Sequence, residues 1–165
     1  MLRVTTTIKY GAFLVAASLL AACSSTKEEA PVVAQAPTSS ITPGSAEDFR
    51  VNVGDTVFFS LDEYSIRPDA QAVLQKQAAW LKQYPSVKLL VEGHCDERGT
   101  REYNLALGDR RAYAVKEFLV SLGVDASRLQ TKSYGKERPI CADSDDSCWQ
   151  QNRRGYSVIS SGAGS

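Results

Sequence analysis

An α/β fold, a small mixed sheet with helices packed on it, is the class this chain predicts, and three observations carry that expectation. Its 165 residues suit one ordinary domain with appendages, because a single core commonly takes about 100–150 residues. Hydrophobic residues make up 43% and charged residues 23%, enough for a packed core and too ordinary for a disordered chain. Between residues 47 and 160, strand-like and helix-like patterns alternate, which is how helices and sheet come to share one core.

The elements follow in order. Asp55 to Ser60, after Gly54, holds Val57, Phe58 and Phe59 and predicts a short strand. Pro68 stands where a first helical turn tolerates it, and Val73, Leu74, Ala78 and Leu81 repeat at helical spacing until Pro85 stops them. Val87 to Val91 predicts a buried strand that runs into a polar loop, Glu92 to Thr100. The Thr100 hydroxyl is placed to cap a second helix whose apolar stripe is Ala112, Val115, Phe118, Leu119 and Leu122, with Gly123 closing it. Arg128 to Tyr134 predicts another strand, and Tyr156 to Val158 the last. The order is β-α-β-α-β, a loop, then β, without an internal repeat.

The flanks read differently. Residues 1–22 carry Arg3 and Lys9 and no acid, then turn apolar from Gly11 to Ala22, the layout of a secretory signal too short to span a bilayer. The run ends Leu20-Ala21-Ala22-Cys23, which resembles the lipobox of bacterial lipoproteins. That resemblance implies cleavage before Cys23, acylation of its thiol and amine, and, with Ser24 rather than Asp following, sorting to the outer membrane. Two or three acyl chains anchor essentially permanently where one is marginal. Residues 23–46, rich in Ser, Thr, Pro and Ala, form a flexible linker that reaches about 80 Å extended and about 25–30 Å as a coil. Residues 47–160 form the domain, and 161–165 a flexible tail.

Charge excludes one class of partner. The chain has 19 bases and 19 acids, and discarding Arg3 and Lys9 leaves 17 bases against 19 acids, a net charge of −2. No bulk basic surface for nucleic acid is expected. Recognition has to rest on placed charges. Asp96 sits just beyond a strand, and Asn104, Leu107, Gly108 and Arg111 share one face of the second helix at i, i+3, i+4 and i+7. If that face looks toward the loop, a carboxylate able to receive an ammonium and a guanidinium able to fork onto a carboxylate border one pocket. The matching ligand is a zwitterion. Spacing alone equally describes, and indeed favours, a structural ion pair between Asp96 and Arg111 or Arg110.

The long motif Glu92-Gly93-His94-x-Asp96-Glu97-Arg98-Gly99-Thr100-x-Glu102-Tyr103-Asn104-x-x-Leu107-Gly108-x-x-Arg111-Ala112, with Ser133-Tyr134-Gly135-Lys136-Glu137-x-Pro139 and Asn152-Arg153-Arg154, resembles the outer-membrane-protein-A-like C-terminal domain family. The resemblance covers about residues 50 to 160. It implies non-covalent binding of peptidoglycan at the meso-diaminopimelate of the stem peptide, whose side chain ends in an amino acid zwitterion. Asp96 and Arg111 are then the principal contacts, Asp62 a wall, and Arg98, Asn104 and Leu107 pocket neighbours. It also implies a periplasmic partner, TolB of the Tol system, on a surface overlapping the wall site. Leu61 replaces the family's usual Phe before Asp62, and Cys95 its usual Ala. The competing reading is a protein-binding scaffold of the Tol system in which Asp96 and Arg111 only brace the loop. On the wall-binding reading, Asp96→Ala or Arg111→Ala abolishes capture by peptidoglycan while the domain stays folded.

Cys141 and Cys148 flank an acidic polar stretch in an exported chain, so a disulfide is expected between them, leaving Cys95 as a small buried side chain. No enzyme, metal or cofactor is expected. His94 is the sole histidine, and His94-Cys95-Asp96 lacks the glutamate and paired cysteines of a zinc deaminase. Its imidazole is expected to hydrogen-bond within the loop. Glu92, Asp96 and Glu97 fit a ligand-binding loop better than the acid/base pair of a wall-cleaving enzyme. Trp80 and Trp149 each fit either a half-buried core position or a partner surface.

Overall fold

The computed structural model describes residues 41–164; the signal segment, Cys23 and the linker up to residue 40 lie outside the described residues. Ser45 caps a single helical turn, α1 (Ala46–Asp48), that continues as a π-helical turn over Phe49–Val53. Then come β1 (Thr56–Phe58), α2 (Pro68–Gln83), β2 (Lys88–His94), α3 (Arg101–Ser121), a 3₁₀ turn, β3 (Leu129–Gly135), α4 (Asp146–Asn152) and β4 (Arg154–Ser161). The expected strands and long helices are all present. The opening turn and α4 are not among them, because both are too short to show a sustained apolar period. The signal for α4 lay in the acidic stretch itself: Asp145 Oδ1 accepts from the Cys148 amide at 2.9 Å, an N-cap, with Asp146 in the first turn.

The sheet order is β1-β4-β2-β3. β4 runs antiparallel to both β1 and β2, whereas β2 and β3 are parallel and need α3 as their crossover. Val57, Leu89, Val91 and Leu129 from the sheet meet Leu74, Ala78 and Leu81 from α2 and Ala112, Val115 and Leu119 from α3 in one core. α3 ends as expected at Gly123, whose φ of 90° completes a cap in which the Gly123 and Val124 amides return to the Val120 and Leu119 carbonyls. Trp80 is core, its indole N–H donating to Asp48 at 2.8 Å. Residues 161–164 do not trail free. Ser161 ends β4, the Gly162 carbonyl accepts from Ser86, and the Gly164 amide donates to Gly44 at 3.1 Å.

One close approach positions the site. Gly93 on β2 faces Gly108 on α3, where a Cβ on Gly93 would overlap the Gly108 carbonyl. Two side-chain-free positions let the helix lie against the C-terminal end of β2. The N-terminal half of α3 is thereby brought against the Cys95–Gly99 loop.

Candidate functional site

At that end of the sheet lies a cavity of ≈ 290 Å³. The loop after β1 contributes Leu61 and Asp62, the loop after β2 Cys95, Asp96, Arg98 and Gly99, α3 Tyr103, Asn104, Leu107 and Arg111, and the junction between α4 and β4 Arg153. Asp62, Asp96, Arg98, Asn104, Leu107 and Arg111 are therefore all on one lining. The lining residues carry three guanidiniums against two carboxylates.

Asp96 is buried and holds four hydrogen bonds. Its Oδ1 accepts from the Arg98 amide at 3.1 Å and Arg98 Nε at 3.3 Å, and its Oδ2 from Arg98 Nη2 at 2.6 Å and Arg153 Nη1 at 3.1 Å. Burial works to raise its pKa, but the hydrogen bonds from Arg98 and Arg153 outweigh it and hold the carboxyl below the usual range. The pair expected from spacing is absent: Asp96 forms its ion pairs with Arg98 and Arg153, not with Arg111 or Arg110.

Arg111 is fully buried on the cavity floor, its guanidinium 5.2 Å from the Phe59 ring centroid. It donates to three backbone carbonyls, Nε to Glu63 at 2.8 Å, Nη1 to His94 at 2.8 Å and Nη2 to Ser60 at 3.0 Å. It stitches the loop after β1 to the end of β2. Burial lowers its pKa from the ordinary arginine value, yet a guanidinium keeps its proton. Removing it would orphan three carbonyls, so the expectation that Arg111→Ala leaves the domain undisturbed is corrected by this geometry. Asp62 sits on the wall in the left-handed region, φ 61°, and accepts from the Tyr103 hydroxyl. Asn104 donates to the Arg98 and Thr100 carbonyls at 2.7 and 3.1 Å and shapes the loop.

Sequence reasoning missed Arg153, Tyr103 and Trp149. Arg153 is anchored on Phe59 O and Gln150 while it reaches Asp96. Trp149, on α4, donates its indole N–H to Glu97 at 2.9 Å and lies under the Arg98 guanidinium, 4.1 Å from its centroid. The available signal for Arg153 was a pair of arginines at the entry to a strand, a costly place for charge without a partner. Cys141 and Cys148 are joined by a disulfide, with Cα atoms 5.2 Å apart, across the segment leading into α4.

His94 differs from its expectation. It is buried with neither ring nitrogen in a hydrogen bond, although Glu92 Oε2 lies 3.4 Å from Nε2. Burial, then the Arg154 and Arg138 charges, lowers its pKa to about 4, so the ring is neutral and stacks on Tyr134. Cys95 is buried, and burial raises its thiol pKa; its Sγ donates to Asn104 O at 3.3 Å. Among the described residues no group of three or more His, Cys, Asp or Glu is arranged to hold a metal ion.

Residues 58–153 match the OmpA family. A peptidoglycan-associated lipoprotein of Mesorhizobium japonicum is 63% identical over 124 residues, 75% of this chain and 73% of that one. One from Haemophilus influenzae is 45% identical over 143 residues, 86% of this chain and 92% of that one. The crystal structure of the peptidoglycan-associated lipoprotein from Burkholderia pseudomallei superposes with a TM-score of 0.62 at 45% identity, covering 64% of this chain and 89% of that chain.

Proposed function

Since the chain belongs to the OmpA family, we propose that it is an outer-membrane lipoprotein that holds peptidoglycan non-covalently, gripping the meso-diaminopimelate of the stem peptide in the Asp96 cavity. It acts as a binding module and not as an enzyme. The observation that carries the reading is the lining itself, guanidiniums and carboxylates interleaved around a cavity of ≈ 290 Å³. Asp96 and Asp62 offer negative ends for the ligand ammonium. Arg98, Arg153 and the two Arg111 N–H groups not spent on backbone carbonyls offer donors for its carboxylate, each charge-assisted bond contributing about 1.5–3 kcal/mol. Leu61 and Leu107 supply the apolar wall for the methylenes between.

At the other end of the chain, Cys23 carries the lipid, and the linker that follows it connects the anchor to the domain. Many copies on one polymer act together, so no single contact has to be tight. TolB of the Tol system is the second partner, on a surface overlapping the cavity, so that it and the wall compete. Titration with a stem peptide carrying meso-diaminopimelate, beside the same peptide carrying lysine, tests the reading. Lysine lacks the terminal carboxylate, and its affinity should fall by at least about tenfold, one such hydrogen bond. Equal binding of both peptides would remove the zwitterion site, and binding of neither would leave the scaffold of the Tol system as the better description.

A further inference from the structure

Asp96 has no open acceptor. An ionised carboxylate offers about four lone-pair positions, and the Arg98 amide, Arg98 Nε, Arg98 Nη2 and Arg153 Nη1 occupy all of them. An ammonium arriving from solvent must therefore displace a donor. The Arg98 amide is fixed by the chain. Arg153 is buried and braced by Phe59 O and Gln150 Oε1. The Arg98 side chain is different: it is 35% exposed, supplies two of the four bonds, and can withdraw by rotation alone.

We infer that Arg98 sets ligand specificity by ion-pair exchange, yielding its place on Asp96 to the ligand's ammonium and passing its own guanidinium to the ligand's carboxylate. This rests on the zwitterion reading of the cavity. The exchange conserves charge pairing: one internal ion pair becomes two across the interface, and no charge is left unpartnered. Trp149 makes the swap local. Its ring, fixed through Nε1 to Glu97, holds the guanidinium by its face, and that attraction does not depend on which carboxylate lies at the edge. A ligand with an ammonium and no adjacent carboxylate would strand Arg98 beside the occupied Asp96. It is rejected through the protein's own cation rather than by lack of fit.

The test is isothermal titration of the full chain in detergent with the two stem peptides, diaminopimelate and lysine, against wild type, Arg98→Ala and Arg98→Lys. In Arg98→Ala the lysine peptide should bind about fivefold to tenfold more tightly than to wild type, and discrimination between the peptides should shrink by about the same factor. Arg98→Lys, which restores a mobile cation, should recover most of the discrimination. Proportional weakening of both peptides by Arg98→Ala would make Arg98 an ordinary contact and overturn the exchange, as would failure of Arg98→Lys to recover selectivity. If wild type binds neither peptide, the zwitterion reading falls as well, an outcome distinct from wild-type selectivity that Arg98→Ala leaves untouched.

Discussion

The floor and the rim of the cavity are built from the same side chain used in opposite ways. On the floor, Arg111 is fully buried and spends its guanidinium on three backbone carbonyls. At the rim, Arg98 is one-third exposed, spends its guanidinium on one carboxylate and rests on an indole. Backbone carbonyls cannot leave, so the floor contacts hold the fold. A carboxylate can change partners, so the rim contacts are available to a ligand. What an arginine is bonded to thus decides how free its guanidinium is to change partners.

Removing the floor guanidinium gives the largest effect expected. Arg111→Ala leaves the Ser60, Glu63 and His94 carbonyls without their donor, and an orphaned buried polar group costs about 1–3 kcal/mol. Some relaxation and water entry will occur, so urea denaturation should show a loss of about 3–5 kcal/mol, with wall binding lost alongside. A variant as stable as wild type would show that the three contacts are as exchangeable as those at the rim.

Opening the Cys141–Cys148 bridge comes next. The bridge and Asn152, which accepts from the Ile140 and Cys141 amides and donates to the Cys141 carbonyl, tie both ends of α4 to the preceding loop. α4 in turn supports the rim through Trp149 and Gln150. Replacing both cysteines by serine should lower stability by about 2–3 kcal/mol on the chain-entropy account. Peptidoglycan co-sedimentation should weaken, while the amides of β2 and α3 keep their hydrogen-exchange protection. Loss of protection throughout would place α4 with the floor rather than the rim.

Acid should separate the two regions as well. The Asp96 pKa is depressed in the fold, so its contribution to stability is complete above the unfolded aspartate value, near 4, and disappears as pH falls through the lower folded value. The floor guanidinium does not titrate there. Stability followed by denaturation from pH 6 to pH 2 should fall less steeply in Asp96→Asn than in wild type, and identical profiles would mean that other carboxylates dominate the acid limb.

How much of this was legible in the chain depends on the distance between partners. The loop after β2 and the face of α3 were readable because their determinants are local: Thr100 as cap, Gly123 as stop, and Asn104, Leu107 and Arg111 at helical spacing. That spacing correctly turns Arg111 toward the loop. What it meets there depends on the course of residues 60–63, including Asp62 in the left-handed region, and nothing in the helix reports that. Arg153 was missed for the same reason, since its carboxylate lies 57 residues away. His94 illustrates the converse: a lone histidine in a polar loop reads as hydrogen-bonded, but it belongs to the strand and is buried there without a partner.

The smallest effect expected concerns the indole beneath Arg98. Trp149 gives Arg98 an aromatic face at 4.1 Å and Glu97 a donor, both at a partly exposed site where a cation–π contact contributes about 0.5–1 kcal/mol. Trp149→Phe keeps the face and loses the donor, whereas Trp149→Ala loses both. If the platform matters through the ring, stem-peptide affinity should fall by about twofold to fivefold in Trp149→Ala and stay near wild type in Trp149→Phe. Equal losses in the two variants would shift the weight to the Glu97 hydrogen bond, and with it to the backbone of the Asp96 loop. The rim would then be held in the manner of the floor, by fixed partners, and the contrast between the two arginines would narrow to their difference in exposure.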